Sequence, residues 1–285
     1  MIVVPGATGN IGRSLVDRLL KDGAAVRALT RDPARAGLPA EAGTVRADLT
    51  AADDLEALLA GADALFLNVA AGGQEAVTAV LNAAVKARVR RVVLNSSLAV
   101  TDTAADETNF IARMHAEAER AVRDSGLEWT FVRGGHYATN SLAWAPAIRG
   151  SGVVRDAHPD AQSIPVHEAD LADVAAVALL DRSGAHLGKH YLVTGPQPLT
   201  MAQQVAEIGR ATGREIRVER ISEEAAAEAR SGPRLPKEAA LELVRLLGQS
   251  VGAPPYPVSD ATERVTGRPA RTFAQWARDH AADFS

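Results

Sequence analysis

Three glycines near the start of the chain have the type and spacing that suit a phosphate ligand. Gly6, Gly9 and Gly12 stand three residues apart, directly after the apolar run at residues 2–4. Between a strand and a helix, the first glycine forms the turn, the second admits a pyrophosphate and the third lets the helix pack closely. The N–H groups at the helix start bind the phosphate oxygens. Without a ligand, the same residues form only a glycine-rich turn.

The end of the second apolar segment, "AVRALT", indicates whether the chain prefers NAD(H) or NADP(H). A carboxylate there would bind the ribose 2′-hydroxyl of NAD, but this chain has Thr30 and Arg31. Arginine offers planar, charged donors to a 2′-phosphate, so NADP(H) is favoured over NAD(H). The neighbouring Asp32 keeps NAD(H) as the alternative, in which Arg31 is a solvated loop residue.

Further side chains follow the later strands. Because ligands bind at the carboxyl edge of a parallel sheet, we expect cofactor contacts from Thr8, Asn10, Ile11, Asp48, Leu49, Asn68, Val69, Ala70 and Ser96. The spacing of Gly6, Gly9 and Gly12 resembles that of short-chain dehydrogenases, and this resemblance implies that Asp48 contacts the adenine. Alternatively, Asp48 lies in the N-cap region of the next helix. Ser96 and Ser97 would bind ribose, substrate or only backbone groups.

The elements that position these residues alternate along the first half of the chain. Up to residue 133, six short apolar runs are separated by segments of helical periodicity, which predicts parallel strands with intervening helices. The fold class is therefore a doubly wound Rossmann-type α/β sheet in residues 1–133. Most of residues 134–285 are expected to form a smaller C-terminal α/β region on the substrate side. A segment at about residues 166–195 is expected to return to the core of the first domain.

Several stretches resemble the NmrA-like atypical short-chain dehydrogenases over residues 1 to roughly 215. They are the glycine spacing, "HAEAERAVRDSGLEWTFVRGGHYATN", "ADLADVAAVALL" and "YLVTGPQPLT". That family includes NADPH-dependent quinone reductases, isoflavone-reductase-like enzymes and non-catalytic redox-sensing regulators. The resemblance implies that residues 134–140 and the region beyond form the substrate side.

The chain departs from the family at the usual acid. Members with ordinary carbonyl chemistry carry Tyr-x-x-x-Lys on the helix after the fifth strand, whereas Ile111 and His115 occupy those places here. No tyrosine stands between residues 1 and 136. A tyrosine acid from that helix is therefore not available. The usual Arg-Pro after the sixth strand is Arg133-Gly134.

Four residues remain as candidate catalytic groups: His115, Ser97, His136 and Tyr137. Glu119 follows His115 by one helical turn, so it would face the imidazole and raise its pKa. In the preferred alternative, His115 fixes the cofactor ribose and Glu119 is solvated. His136 and Tyr137 follow the sixth strand and either face the substrate or pack within their loop.

Composition excludes several classes of partner and site. The chain has 285 residues, a net charge of −4 and no cysteine. The charge balance gives no attraction to nucleic acid, and no apolar run is long enough to span a membrane. A cytoplasmic monomer or homodimer is expected. No metal site is expected from His186 and His190, because a glycine lies between them and strand signals follow.

These observations favour an NAD(P)H-dependent oxidoreductase that transfers a hydride to a small-molecule quinone or conjugated carbonyl compound. Such acceptors take their proton from water or a modest donor, whereas a simple ketone needs a better acid. Two alternatives stay open. One is a non-catalytic NADP-binding sensor that docks on a partner protein, and the other is a redox-neutral isomerase or cyclase on the same scaffold.

Overall fold

A computed structural model describes residues 1–49, 54–69, 73–107, 109–232 and 235–285. The strands are β1 (Ile2–Pro5), β2 (Val26–Thr30), β3 (Val45–Arg46), β4 (Ala64–Asn68), β5 (Arg91–Ser97), β6 (Glu128–Gly134), β7 (Val153–Asp156), β8 (Gln162–Ser163), β9 (Lys189–Val193), β10 (Leu199–Thr200) and β11 (Arg217–Arg220). The helices are α1 (Asn10–Lys21), α2 (Leu55–Leu59), α3 (Gly73–Lys86), α4 (Phe110–Asp124), α5 (Ala145–Gly150), α6 (Glu168–Leu180), α7 (Met201–Thr212), α8 (Glu223–Arg230), α9 (Lys237–Gly248), α10 (Ala261–Thr266) and α11 (Phe273–Asp279). Within these residues, no helix has both the length and the apolar character needed to cross a membrane.

The main sheet contains seven parallel strands in the order β3-β2-β1-β4-β5-β6-β9. β1 pairs with β2 on one side and with β4 on the other, so the strand order reverses between β1 and β4. In open α/β sheets, ligands bind at the carboxyl ends of the strands beside such a reversal. The predicted Rossmann-type fold is confirmed, and β9 adds a seventh strand to the six of the first 133 residues.

The central strands are buried on both faces, which explains why they are continuous apolar runs. Val92, Val93 and Leu94 of β5 are all 0% exposed. Helix α1 contributes Leu15 and Leu19, spaced by four residues and equally buried. The same burial keeps the strand ends in register, with Asn95 of β5 opposite Val132 of β6.

The chain divides into two compact units. The first comprises Met1–Gly135, Glu168–Val193 and Ala261–Arg268, and it contains the seven-stranded sheet. The second comprises His136–His167, Thr194–Asp260 and Pro269–Ser285. The contribution of Ala261–Arg268 to the first unit has no signal in the sequence, because a six-residue helix shows too little periodicity.

The second unit is built around two small sheets and an aromatic core. β7 pairs with β11 in parallel, and β8 pairs with β10 in antiparallel fashion. Trp276 of α11 is fully buried and packs with Phe273 and Phe284. Helix α7 begins at a capping box, in which Thr200 and Gln203 exchange side-chain and backbone hydrogen bonds.

Candidate active site

The turn between β1 and α1 is closed by its own backbone. Gly6 has a φ of +63°, and its carbonyl accepts the N–H of Gly9 at 3.0 Å. A Cβ at Gly12 would lie 2.3 Å from the Gly6 oxygen. Only glycine therefore allows α1 to begin this close to the turn.

The start of α1 is open to an anion. Gly9 is the N-cap and supplies no side-chain hydrogen bond, and the first turn has no acidic residue. Thr8, Gly9 and Asn10 are exposed, whereas Ile11 is buried. Uncapped N–H groups at the positive end of a helix dipole suit a phosphate. The glycine turn therefore fits the pyrophosphate of a dinucleotide.

The loop after β2 is held from α1. Arg13 donates to the carbonyl oxygens of Ala36 at 2.9 Å and Gly37 at 2.8 Å. Arg31 is exposed at the start of this loop, while Thr30 is 8% exposed. Sequence reasoning missed Arg13, because an arginine on a helix gives no signal for a loop 23 residues away. It fixes the segment that would accept the adenosine end of the dinucleotide.

The other predicted cofactor residues differ in exposure. Asp48 is exposed two residues beyond β3, whereas Leu49 packs against the apolar core. Asn68 ends β4 and is half-buried. Val69 is 1% exposed and belongs to the core, so it offers a ligand little beyond its backbone. Ala70 lies outside the described residues.

The two serines that end β5 have different surroundings. Ser96 is fully buried, and its hydroxyl donates to Oε1 of Glu119 at 2.6 Å. This corrects the expectation that its side chain binds ribose or substrate, because its proton is used in the interior. Ser97 is half-buried, and its Oγ accepts the N–H of Ala99 at 3.1 Å. Its hydroxyl proton remains to be donated elsewhere.

His115 is half-buried on α4. Its Nδ1 atom is buried and has no hydrogen-bond partner among the described residues. Burial lowers the pKa of His115, and the attraction of Glu119 only partly opposes this effect. Glu119 thus acts on this pKa in the expected direction, but desolvation of the imidazolium is the larger effect and the net shift is downward. His115 is neutral at pH 7, and its buried Nδ1 fits a ligand hydroxyl.

Ile111 precedes His115 by one helical turn. It is 44% exposed, and side chains four residues apart share one face of a helix. This face of α4, which begins beside the carboxyl edge of the sheet, presents an apolar side chain and a neutral imidazole. Neither group is a strong acid.

Glu119 is 0% exposed, which corrects the expectation of a solvated helix residue. Arg133 of β6 donates to both of its carboxylate oxygens, at 2.9 and 2.7 Å, and Arg123 donates to one at 3.0 Å. Sequence reasoning missed this pairing, although an arginine at the end of an apolar strand was a usable signal. The carboxylate belongs to the interior and not to the imidazole of His115.

His136 and Tyr137 begin the second unit. The N–H of His136 donates to the hydroxyl of Tyr256 at 2.7 Å, and its carbonyl accepts the N–H of Val166 at 2.8 Å. Burial lowers the pKa of the His136 ring to about 4, so the ring is neutral at pH 7. Tyr137 forms a β-bridge with Val166. Tyr256 was missed because it lies in a proline-rich connection without periodicity.

His186 and His190, the spaced histidine pair, lie before and within β9 and not on a helix. Across the part of the chain that the structure describes, no group of three or more His, Asp or Glu side chains is arranged to hold a metal ion.

Known proteins resemble this chain over nearly its whole length. Residues 6–182 match a family described as NAD(P)H-binding. A (4-alkanoyl-5-oxo-2,5-dihydrofuran-3-yl)methyl phosphate reductase of Streptomyces griseus is 40% identical, covering 100% of this chain and 99% of the relative. An NAD(P)H azoreductase of Xenophilus azovorans is 35% identical, covering 100% and 99% respectively.

A solved structure agrees with these sequence relatives. The crystal structure of an NADPH-dependent quinone oxidoreductase of Escherichia coli, complexed with NADPH, superposes with a TM-score of 0.77 at 28% identity, covering 98% of this chain and 99% of that one. The resemblance to NmrA-like atypical short-chain dehydrogenases is thus confirmed. The chain belongs to the NAD(P)H-binding family, among the atypical reductases of the short-chain dehydrogenase fold.

Proposed function

We propose that this chain is an NADPH-dependent reductase that transfers a hydride to a quinone or another conjugated carbonyl compound. The observation that carries the proposal is the face of α4, where Ile111 is exposed and His115 is held neutral. A good general acid contributes roughly 10²–10⁴-fold to a proton-dependent reduction. A site without one favours acceptors that need it least.

The relatives support an activated acceptor. The name of the Streptomyces griseus reductase describes a ring carbon–carbon double bond conjugated with a ring carbonyl and an alkanoyl group. The Escherichia coli enzyme is named for quinones. Both names describe electron-poor, conjugated compounds, in which the charge that follows hydride addition spreads onto oxygen. We extend this class of substrate to the present chain.

The residues of the first unit divide the binding of the cofactor between them. The glycine turn and the start of α1 hold the pyrophosphate, and Arg31 binds the 2′-phosphate. Asp48 lies on the adenine side. His115 offers its buried Nδ1 to a ribose hydroxyl. NADPH, when bound, supplies the hydride.

Protonation of the reduced acceptor requires only a modest donor. The hydroxyl oxygen of Ser97 accepts the N–H of Ala99, and the hydroxyl proton is left for donation to the reduced acceptor. Water is the other source. His136 does not serve as the acid at neutral pH, because its pKa of about 4 leaves it deprotonated.

The test compares matched acceptors with the purified chain. Oxidation of NADPH is followed with a naphthoquinone, with cyclohexenone and with cyclohexanone, the last two differing only in conjugation. We expect the naphthoquinone and the enone to exceed the ketone by roughly 10²-fold or more in kcat/KM. Equal rates with the enone and the ketone would reject the proposal. Tight NADPH binding without turnover of any acceptor would favour the non-catalytic sensor.

Replacement of His115 separates its two roles. His115→Ala is expected to weaken NADPH binding more than it lowers kcat with the naphthoquinone, because we assign the imidazole to the ribose. Efficient reduction of cyclohexanone that is lost in His115→Ala, with NADPH binding kept, would make His115 the acid and contradict this assignment.

A further inference from the structure

A closed network of charged side chains lies beneath the carboxyl ends of β5 and β6, with Glu119 of α4 at its centre. Oε1 of Glu119 accepts from Ser96 Oγ at 2.6 Å and Arg133 Nε at 2.9 Å. Oε2 accepts from Arg133 Nη2 at 2.7 Å and Arg123 Nη2 at 3.0 Å. Four donors fill the acceptor positions of a carboxylate. Glu119 therefore docks α4 on both strands.

Arg133 uses every N–H of its guanidinium. Besides its two bonds to Glu119, Nη1 donates to Asp102 Oδ2 at 2.8 Å and to the carbonyl of Val100 at 3.3 Å, and Nη2 donates to Asp102 Oδ1 at 3.0 Å. A guanidinium has five N–H donors, and all five are paired here. The hydrogen bonds from Arg133 lower the pKa of Asp102, so this carboxylate stays ionised at neutral pH.

The outer partners of Arg133 belong to the loop between β5 and α4. Asp102 has a φ of +59°, a left-handed conformation that Asp adopts more readily than most residues with a side chain. Asp106 accepts the N–H groups of Thr101 at 2.9 Å and of Asp102 at 3.0 Å. The side chains of Arg133 and Asp106 thus hold the backbone of this loop in its path.

This loop leads directly into the face of α4 that carries the proposed chemistry. Asn109 caps the helix by accepting the N–H groups of Ile111 and Ala112. Ile111, His115 and Glu119 then follow at intervals of four residues, on one face. The network therefore fixes both the loop before His115 and the helical turn after it.

Stability alone does not require charges at this place. Burying ions costs desolvation free energy, and apolar side chains of similar volume often stabilise a core equally well or better. What a planar, five-donor group adds is a fixed geometry for its partners. The network lies directly under the carboxyl edge of the sheet, where ligands bind, so the geometry that it fixes is that of the loop and helix beside the site.

We propose that Arg133 and Glu119 are positioning residues, which hold the loop after β5 and the first turns of α4 in the geometry that hydride transfer needs. The inference rests on the proposed reductase function. Both residues act through Asp102, Val100 and α4, and neither is assigned a contact with substrate or cofactor.

The test compares two buried arginines in the full-length chain. Arg133→Lys keeps the charge but loses the planar fork. Its matched control is Arg91→Lys, because Arg91 is 1% exposed and donates to Glu128 and to main-chain carbonyls at the opposite strand ends. Far below both Tm values, we would measure hydrogen exchange of residues 98–107, the NADPH dissociation constant, and kcat and KM with a naphthoquinone.

Arg133→Lys is expected to lower kcat about tenfold or more, since small displacements of reacting groups are costly. Exchange in the loop should accelerate, while the NADPH dissociation constant should stay within about threefold, because the glycine turn holds the pyrophosphate independently. Arg91→Lys should lower the Tm without changing these three quantities. Glu119→Gln, which keeps the shape of the side chain but removes its charge, should follow the pattern of Arg133→Lys.

Unchanged kcat and unchanged loop exchange in Arg133→Lys would overturn the inference, as would equal losses of kcat in both arginine variants. If Arg133→Lys does not fold, Asp102→Asn replaces it, because this change removes only the loop end of the network, at a side chain 47% exposed. A wild-type chain that reduces no acceptor refutes the proposed function instead. Loop exchange then decides the inference, which fails if Arg133→Lys exchanges like the wild type.

Discussion

The strand pair β5 and β6 holds one buried arginine at each end, and the two arginines bind different kinds of partner. Arg91, at the amino end of β5, donates to Glu128 and to the carbonyl oxygens of Ala178 and Asp181, where α6 finishes. Arg133, at the carboxyl end of β6, binds Glu119 and Asp102, the latter in a left-handed conformation. The arginine at the amino end contacts a strand and the end of a helix, whereas the one at the carboxyl end also holds a loop in place.

The glycines at the two edges differ in the same way. Gly61 and Gly126 precede β4 and β6 at the amino edge, with φ values of +73° and +75°, and a Cβ at either would meet nothing within 4 Å. At the carboxyl edge, a Cβ on Gly9 or Gly12 would lie 3.3 or 2.3 Å from the Gly6 oxygen. The two amino-edge glycines, like Gly6, supply a left-handed backbone conformation, whereas Gly9 and Gly12 allow α1 to approach the turn closely.

The largest effect is expected from Gly9→Val. A side chain at the N-cap would occupy the space of the pyrophosphate, so the NADPH dissociation constant should rise about 100-fold or more. Gly126→Val is the control, because its strained φ should cost about 1–2 kcal/mol of stability and leave NADPH binding unchanged. If Gly9→Val is folded by circular dichroism and still binds NADPH normally in calorimetry, the assignment of Gly9 to the pyrophosphate site is contradicted.

A smaller effect is expected from Arg31→Ala. A charge-assisted hydrogen bond is worth about 1.5–3 kcal/mol, so affinity for NADPH should fall roughly 10–100-fold while affinity for NADH stays constant. Arg90→Ala is the matched control, since Arg90 is also exposed but lies at the amino edge, 4.0 Å from Glu128. Fluorescence titration with both cofactors measures the preference. A wild type that does not discriminate, or a variant that keeps the preference, contradicts the assignment.

The sequence predicted the first unit better than the second for a physical reason. Strands β1, β4 and β5 are buried almost throughout, so each contains a continuous apolar run that helical periodicity separates from the next. The second unit uses the two-residue strands β8 and β10 and the short helix α5, in a stretch rich in Gly, Ala, Ser and Pro. Such short elements follow from tertiary packing and leave little pattern.

The candidate site shows the same limit. The glycine turn was readable because its function depends on residues adjacent in the chain. Glu119 was not, because a glutamate among helical Arg and Ala residues looks solvated, while its partner Arg133 is 14 residues away on a strand. The lowered pKa of His115 was equally unreadable from the sequence, because it comes from burial of the imidazole, which depends on tertiary packing. The environment of the Glu119 side chain is determined by the packing of α4 on β5 and β6.

The last comparison uses two histidines, one after the carboxyl end of β6 and one before the amino end of β9. Burial lowers the pKa of His136 to about 4, and it also lowers that of His186, where Asp181 opposes the effect. The unfolded chain has a histidine pKa of about 6.5. As the pH falls from about 6.5 to 4, the unfolded state therefore takes up protons first, and folding stability is lost over that window.

Removing His136 should flatten this pH dependence more than removing His186. Between pH 7 and 4, the free energy of unfolding in urea should fall by about 1–2 kcal/mol less for His136→Gln than for the wild type. This difference is smaller than the full pKa shift would give, because the ring is only partly shielded from water. The backbone N–H of His136, and not its ring, donates to Tyr256, so this bond survives the change. His186→Gln should shift the profile less, because Asp181 already favours the charged imidazole. Identical profiles for His136→Gln and the wild type would show that the His136 ring protonates in the folded chain at its ordinary pKa.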